Sequence, residues 1–272
     1  MSNFPPPRRI ALRILAVVAA AFASISLCAG SSRADGDGPV IAAAANLQFA
    51  LEEIAEAFKK STGQSVRISF GSSGNFVRQI RQGAPFEMFL SADEKFVRDL
   101  VDAGLSRDTG TLYAVGRIAL FVPHGSQLEP DATLDDLAKA IDDGRITRFA
   151  IANPEHAPYG KRAVEALQHR GLWDKIQPKL IYGENVSQAA QFALSGNAQG
   201  GIIAYSIALV PRFSAAGRFV LIPEEWHSPL RQSMVLLKSA GPVAERFFAY
   251  VQEPEAREVF RKYGFLLPGE AP

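Results

Sequence analysis

The sequence predicts an α/β protein built as two lobes with a ligand cleft between them. Three observations lead there. Short apolar strands alternate with amphipathic helices, the pattern of largely parallel sheets covered by helices on both faces. No low-complexity linker separates one half of the chain from the other. Four small or polar segments, Ala45-Asn46, Ser72-Ser73-Gly74, Pro158-Tyr159-Gly160 and Asn185-Val186, each stand between a strand and the start of a helix. Every such start leaves unpaired N–H groups and a partial positive charge, and open α/β sheets bind ligands at the carboxyl ends of their strands. If the four converge, they form a cage of neutral donors for an anion.

The elements follow in order. Arg8, Arg9 and Arg13 precede an uncharged apolar run from Ile14 to Gly30, closed by Ser32-Arg33-Ala34 and the polar Asp35-Gly36-Asp37-Gly38. This is the layout of a secretory signal, residues 1–34, cut after Ala34. The alternatives are a membrane anchor, since the run is almost long enough to span, a lipoprotein signal at Cys28, and twin-arginine export through Arg8-Arg9. Pro39–Ala44 reads as a buried strand. Leu47–Ser61 reads as a helix with Leu51, Ile54, Ala55 and Phe58 on one face, ended by Thr62-Gly63. Ser65–Phe70 is a strand, Asn75–Gln82 a short helix, Phe86–Leu90 a strand, and Asp93–Ala103 a helix closed by Gly104.

A single long strand, Leu112–Val122, is expected to carry the chain from one lobe to the other. Leu134–Ile141, Arg148–Ala152, Gly160–Arg170, Leu180–Tyr182, Ser187–Ser195 and Gly201–Tyr205 repeat the alternation. Phe219–Ile222 and Met234–Leu237 read as strands. Pro242 and Pro254 open two final helices, and Gly264–Leu267 packs as an apolar stub. The expected lobes are 35–115 with 225–272, and 116–224.

Composition narrows the function. With 272 residues and 47% hydrophobic content the chain buries an ample core. Residues 1–34 hold four arginines and no acid, so their removal leaves 25 basic against 28 acidic residues, a net charge of −3. That balance argues against nucleic acid as a partner. Cys28 is the one cysteine and leaves with the signal, so the mature chain has no disulfide and no thiolate metal site.

Several enzyme signatures are missing. Gly71-Ser72-Ser73-Gly74 is not the G-x-S-x-G elbow of hydrolases. Gly160-Lys161 lacks the upstream glycine of a P-loop. His124, His156, His169 and His227 have no metal-ligand spacing, and His156 reads as a solvated loop residue. A hydrolase using Ser73 as nucleophile would have His156 as its one candidate base.

The stretches Ala42–Leu47, Ser69–Gly74, Gln79–Asp93, Asn153–Gly160, Glu184–Val186 and Lys262–Phe265 together resemble the periplasmic molybdate-binding proteins of ABC importers. The likeness runs from about residue 39 to residue 267. It implies a type II periplasmic-binding fold, whose two lobes close on a tetrahedral oxyanion. It also implies a periplasmic monomer with no catalysis and no cofactor, which delivers molybdate, or tungstate, to a membrane permease. Sulfate is the alternative ligand.

Carried over by position, Ser73 gives its hydroxyl and N–H, and Asn46, Tyr159 and Val186 give N–H groups, with Ala45 a further candidate. Molybdenum is then held only as its oxyanion. Many members carry Ser at the place of Asn46, whose amide can still donate. Many also place a ligand Tyr in a G-I-V-Y run. Here Gly201-Ile202-Ile203-Ala204-Tyr205 shifts the aromatic by one, so alternation turns Tyr205 away, and the Tyr159 phenol stands in for it. A fully deprotonated dianion offers acceptors alone and suits a cage of donors, whereas monohydrogen phosphate wants an acceptor for its proton.

Overall fold

The computed structural model describes residues 38–270; the expected signal segment lies outside them. The chain opens with β1 (Val40–Ala44), a 3-10 turn at Ala45–Leu47, α1 (Gln48–Thr62), β2 (Arg67–Gly71), α2 (Ser73–Arg81), β3 (Met88–Ser91), α3 (Glu94–Asp102) and β4 (Thr111–Gly116). Then come β5 (Ile118–Pro123), α4 (Asp135–Asp142), β6 (Phe149–Ala152), α5 (Pro158–His169), α6 (Trp173–Ile176), β7 (Leu180–Gly183) and α7 (Val186–Leu194). The last part holds β8 (Gly201–Ala204), α8 (Tyr205–Ala208), α9 (Pro211–Ser214), β9 (Gly217–Leu221), β10 (Leu230–Leu236), α10 (Pro242–Tyr250) and α11 (Pro254–Lys262).

These strands form two five-stranded sheets, β2-β1-β3-β10-β4 and β7-β6-β8-β5-β9. In the first, β1 runs parallel to β2 and β3, and β10 runs antiparallel to β3 and β4. In the second, β6 runs parallel to β7 and β8, and β5 runs antiparallel to β8 and β9. The chain leaves the first sheet between β4 and β5 and returns between β9 and β10. This is the two-lobed α/β class that the alternation predicts.

Local chemistry explains the central elements. β1 is apolar throughout, as suits a strand covered on both faces, and Ile41, Ala42, Ala43 and Ala44 are buried. It shares one core with Leu51, Ile54 and Phe58, the inward residues of α1. Phe58 meets Phe247 and Tyr250 edge-on, with ring centroids 5.2 and 5.4 Å away, and so fastens α1 to α10. Gly63 takes the left-handed conformation (φ 70°) and donates to the Lys59 carbonyl, closing α1.

The crossing differs from the single long strand expected. Arg117 separates β4 from β5. Its guanidinium donates to the Gly264 carbonyl at 2.9 Å, and its own carbonyl accepts from the Tyr205 N–H at 2.9 Å. The residue therefore belongs to neither ladder. β10 also begins four residues before the expected Met234, because a register shift between Gln232 and Ser233 interrupts its alternation.

Candidate ligand-binding site

The four helix starts do converge. The turn after β1 brings Ala45 and Asn46, and the end of β2 brings Ser72 and Ser73. From the second sheet, α5 brings Pro158 and Tyr159, and α7 brings Val186 behind Asn185. All of these line one cavity of about 10 Å3, about one water-sized sphere of free space. That suits one small compact guest and is too little for a sugar or a peptide. None of the residues lining the cavity carries a charged side chain.

Each start keeps donors free in its own way. Ser72 holds the position before α2 but does not cap it; its hydroxyl is 3.0 Å from His156 Nδ1 instead. The Ser73 N–H, first of α2, is thereby left without a side-chain cap. Ser73 is fully buried, and its Oγ accepts from the Ala92 N–H at 3.0 Å. With that lone pair occupied, the hydroxyl proton is free to be given away. Pro158 has no N–H, which makes Tyr159 the first donor of α5. At α7, Asn185 Oδ1 caps Gln188 N–H at 3.1 Å and leaves the Val186 N–H uncapped by it.

Two backbone acceptors nearby are occupied. The Ala45 carbonyl accepts from Ser187 Oγ at 3.0 Å and the Asn46 carbonyl from Ser206 Oγ at 2.9 Å. Both hydroxyls come from helices of the second sheet, so these bonds also bridge the cleft. Burial pushes the Tyr159 phenol well above its ordinary pKa, so it stays a neutral hydroxyl. It accepts from Gln232 Nε2 at 3.1 Å. Asn46 Nδ2 donates to Gln232 Oε1 at 3.0 Å.

Two sequence expectations are corrected here. His156 is not a solvated loop residue: it is buried, its imidazole pairs with Ser72, and its carbonyl accepts from the Gly74 N–H at 2.9 Å. It bridges the cleft. Its imidazole therefore engages Ser72 rather than Ser73, the serine that the hydrolase reading needed. Tyr205 does stand outside the residues lining the cavity, but not because strand alternation turns it. β8 ends at Ala204 and Tyr205 begins α8. Its ring packs over the Arg117 guanidinium at 4.7 Å, near Gly264.

Sequence reasoning missed Gln232, Tyr113 and the Arg162–Asp93 pair. Gln232 is fully buried on β10 and joins Asn46, Tyr113 and Tyr159. The one local signal was a polar residue beside an apolar run.

Two sheets crossed twice by the chain, with a small neutral cavity of helix starts between them, define a bilobal solute-binding protein. Residues 39–266 match the family described as bacterial extracellular solute-binding protein, and the chain belongs to that family. It is similar to the molybdate-binding protein ModA of Rhodobacter capsulatus, 36% identical over 270 residues, covering 98% of this chain and 99% of that protein. The molybdate-binding protein ModA of Azotobacter vinelandii is 35% identical over 235 residues, covering 84% and 89%. Among solved structures, the periplasmic molybdate-binding protein of Azotobacter vinelandii matches with a TM-score of 0.76 at 31% identity, covering 85% of this chain and 99% of that one. The sulfate-binding protein SubI of Mycobacterium tuberculosis H37Rv shares the fold, with a TM-score of 0.71 at 15% identity, covering 85% and 87%.

Proposed function

We propose that this protein captures molybdate, and tungstate with it, in the periplasm and hands the anion to the membrane permease of an ABC importer. The observation that carries this reading is the small cavity lined by free helix-start donors and by no charged side chain. Ser73 supplies its hydroxyl and N–H, and Asn46, Tyr159 and Val186 supply N–H groups, with Ala45 beside them. Residues 35–115 and 225–272 act as one lobe and 116–224 as the other, closing by hinge motion. The protein works as a monomer, with no catalysis and no cofactor, after loss of residues 1–34. The names of its relatives support the choice of molybdate.

The physical ground is the match of donors to acceptors. Molybdate and tungstate are fully deprotonated at neutral pH and present acceptor oxygens alone. Neutral dipoles stabilise such a charge without the desolvation that a buried cation would require. Calorimetry with molybdate, tungstate, sulfate and phosphate tests the assignment. Heat is expected from molybdate and tungstate and none from phosphate. A protein that takes sulfate and ignores molybdate overturns the ligand while leaving the oxyanion cage intact.

Ser73→Ala removes one hydroxyl donated to a charged group. The expected loss is about 1.5–3 kcal/mol of binding free energy, read as a weaker Kd by calorimetry. An unchanged Kd removes Ser73 hydroxyl from the site.

A further inference from the structure

Behind the cavity wall lies a buried hydrogen-bond network that the donor cage does not itself explain. Asn46, Tyr113, Tyr159 and Gln232 are each at most 4% exposed. Gln232 Oε1 faces Asn46 Nδ2 at 3.0 Å and Tyr113 Oη at 3.1 Å, and Gln232 Nε2 faces Tyr159 Oη at 3.1 Å. Tyr113 Oη also lies 3.0 Å from the Ser91 carbonyl. In this pattern the single Tyr113 proton serves two acceptors, and the buried Asn46 Oδ1 has no partner. An orphaned buried acceptor is unfavourable, and Asn46 lines the cavity proposed for a ligand made of acceptors.

The oxygen and nitrogen of an amide are interchangeable in position, so the same side-chain positions hold a second pattern. Turn both amides end for end. Gln232 Nε2 then gives one hydrogen to Asn46 Oδ1 and one to Tyr113 Oη. Tyr113 gives its proton to Ser91 alone. Tyr159 gives its proton to Gln232 Oε1. Asn46 Nδ2 now occupies the place of the orphan, on a residue that lines the cavity, where it is a donor. Every group joined through Gln232 is then satisfied, and the Asn46 amide keeps hydrogens that no protein acceptor takes.

We infer that Gln232 is a positioning residue that sets which end of the Asn46 amide faces the ligand, and so keeps the site a donor cage. The inference rests on the oxyanion reading above. Gly116 supports it from the first sheet. A Cβ at that position would collide with both Gln232 Nε2 and Tyr159 Oη, so the strand lacks a side chain where amide and phenol must meet.

The test is a double-mutant cycle read by calorimetry with molybdate. Gln232→Met keeps the side-chain length and removes both ends of the amide. It is expected to weaken molybdate binding about tenfold or more, the effect of losing one oriented donor to a charged group. In an Asn46→Ser background the residue at 46 is too short to reach Gln232, and the same change is expected to shift Kd less than about twofold. Equal losses in both backgrounds, or no loss in the parent, overturn the inference. A second variant guards against misfolding. Gln232→Glu keeps the shape but offers acceptors alone while ionised, which holds Asn46 Nδ2 towards residue 232 and its oxygen towards the ligand. It is expected to lose molybdate affinity at pH 8 and recover part of it as the pH falls and the carboxyl takes up a proton. Molybdate affinity for this variant that matches the parent at both pH values also overturns the inference. If the parent binds no molybdate, the oxyanion reading fails first and takes this inference with it. If the parent binds and the cycle shows no coupling, the inference alone fails.

Discussion

Arg162→Met is expected to lower the free energy of unfolding by about 3 kcal/mol. Arg162 lies on α5, its side chain is 6% exposed, and it reaches from the second lobe to Asp93 of the first at 2.7 Å. It also pairs with Glu165 at 3.0 Å. Removing one partner of a buried pair leaves the other charge without compensation, which costs about 3–5 kcal/mol in fully buried cases. The lower end applies here because the Asp93 and Glu165 side chains keep 17% and 23% of their exposure. His227 next to Arg162 offers no substitute charge, since burial holds its pKa below the ordinary value. Urea denaturation checks the prediction: the midpoint should fall with an unchanged slope. Arg162→Lys should recover only part of the loss, because an ammonium lacks the planar fork that meets two carboxylates at once. A midpoint equal to that of the parent would show that the pair contributes nothing to the fold.

The alternation of strands and helices was legible in the sequence because it is local. The apolar run of β1, the spacing of Leu51, Ile54 and Phe58, and the glycine that closes α1 each declare themselves within a few residues. The four helix starts were legible for the same reason, since a proline or a small polar residue between a strand and an apolar-periodic run marks a helix start. Their convergence was an expectation from topology, and the strand order supplies it. What the sequence hid depends on partners far apart. Gln232 finds its partners 186, 119 and 73 residues away, and the register shift beside it conceals the strand that carries it. Arg162 and Glu165 look like an exposed pair at helical spacing, and nothing near them in sequence announces Asp93. His156 was misread because its burial comes from the opposite lobe, through Ser72 and Gly74. A residue whose environment is assembled by closure carries no local mark of it.

Closure itself yields the other large prediction. Gly74→Ala is expected to weaken molybdate binding by at least about 3 kcal/mol, more than a hundredfold in Kd. Gly74 sits in the first turn of α2, and its N–H donates across the cleft to the His156 carbonyl at 2.9 Å. A Cβ there would stand 2.8 Å from that carbonyl oxygen and 3.0 Å from the His156 Cα. These are backbone atoms, which cannot swing aside as the end of a side chain can. The segment carrying Ala157, Pro158 and Tyr159 must back away, and the second lobe with it. The ligand then loses the Tyr159 and Val186 donors together, each a hydrogen bond to a charged group worth about 1.5–3 kcal/mol. The fold of the first lobe should survive, because alanine favours the helix over glycine by about 1 kcal/mol. The expected pair of results is therefore a retained cooperative unfolding transition and a calorimetric titration with little or no heat. Parental affinity in this variant would mean that the two lobes need not meet at Gly74 and His156 for the anion to be held. The donors of the second lobe would then have to reach the ligand without the contact that aligns them here.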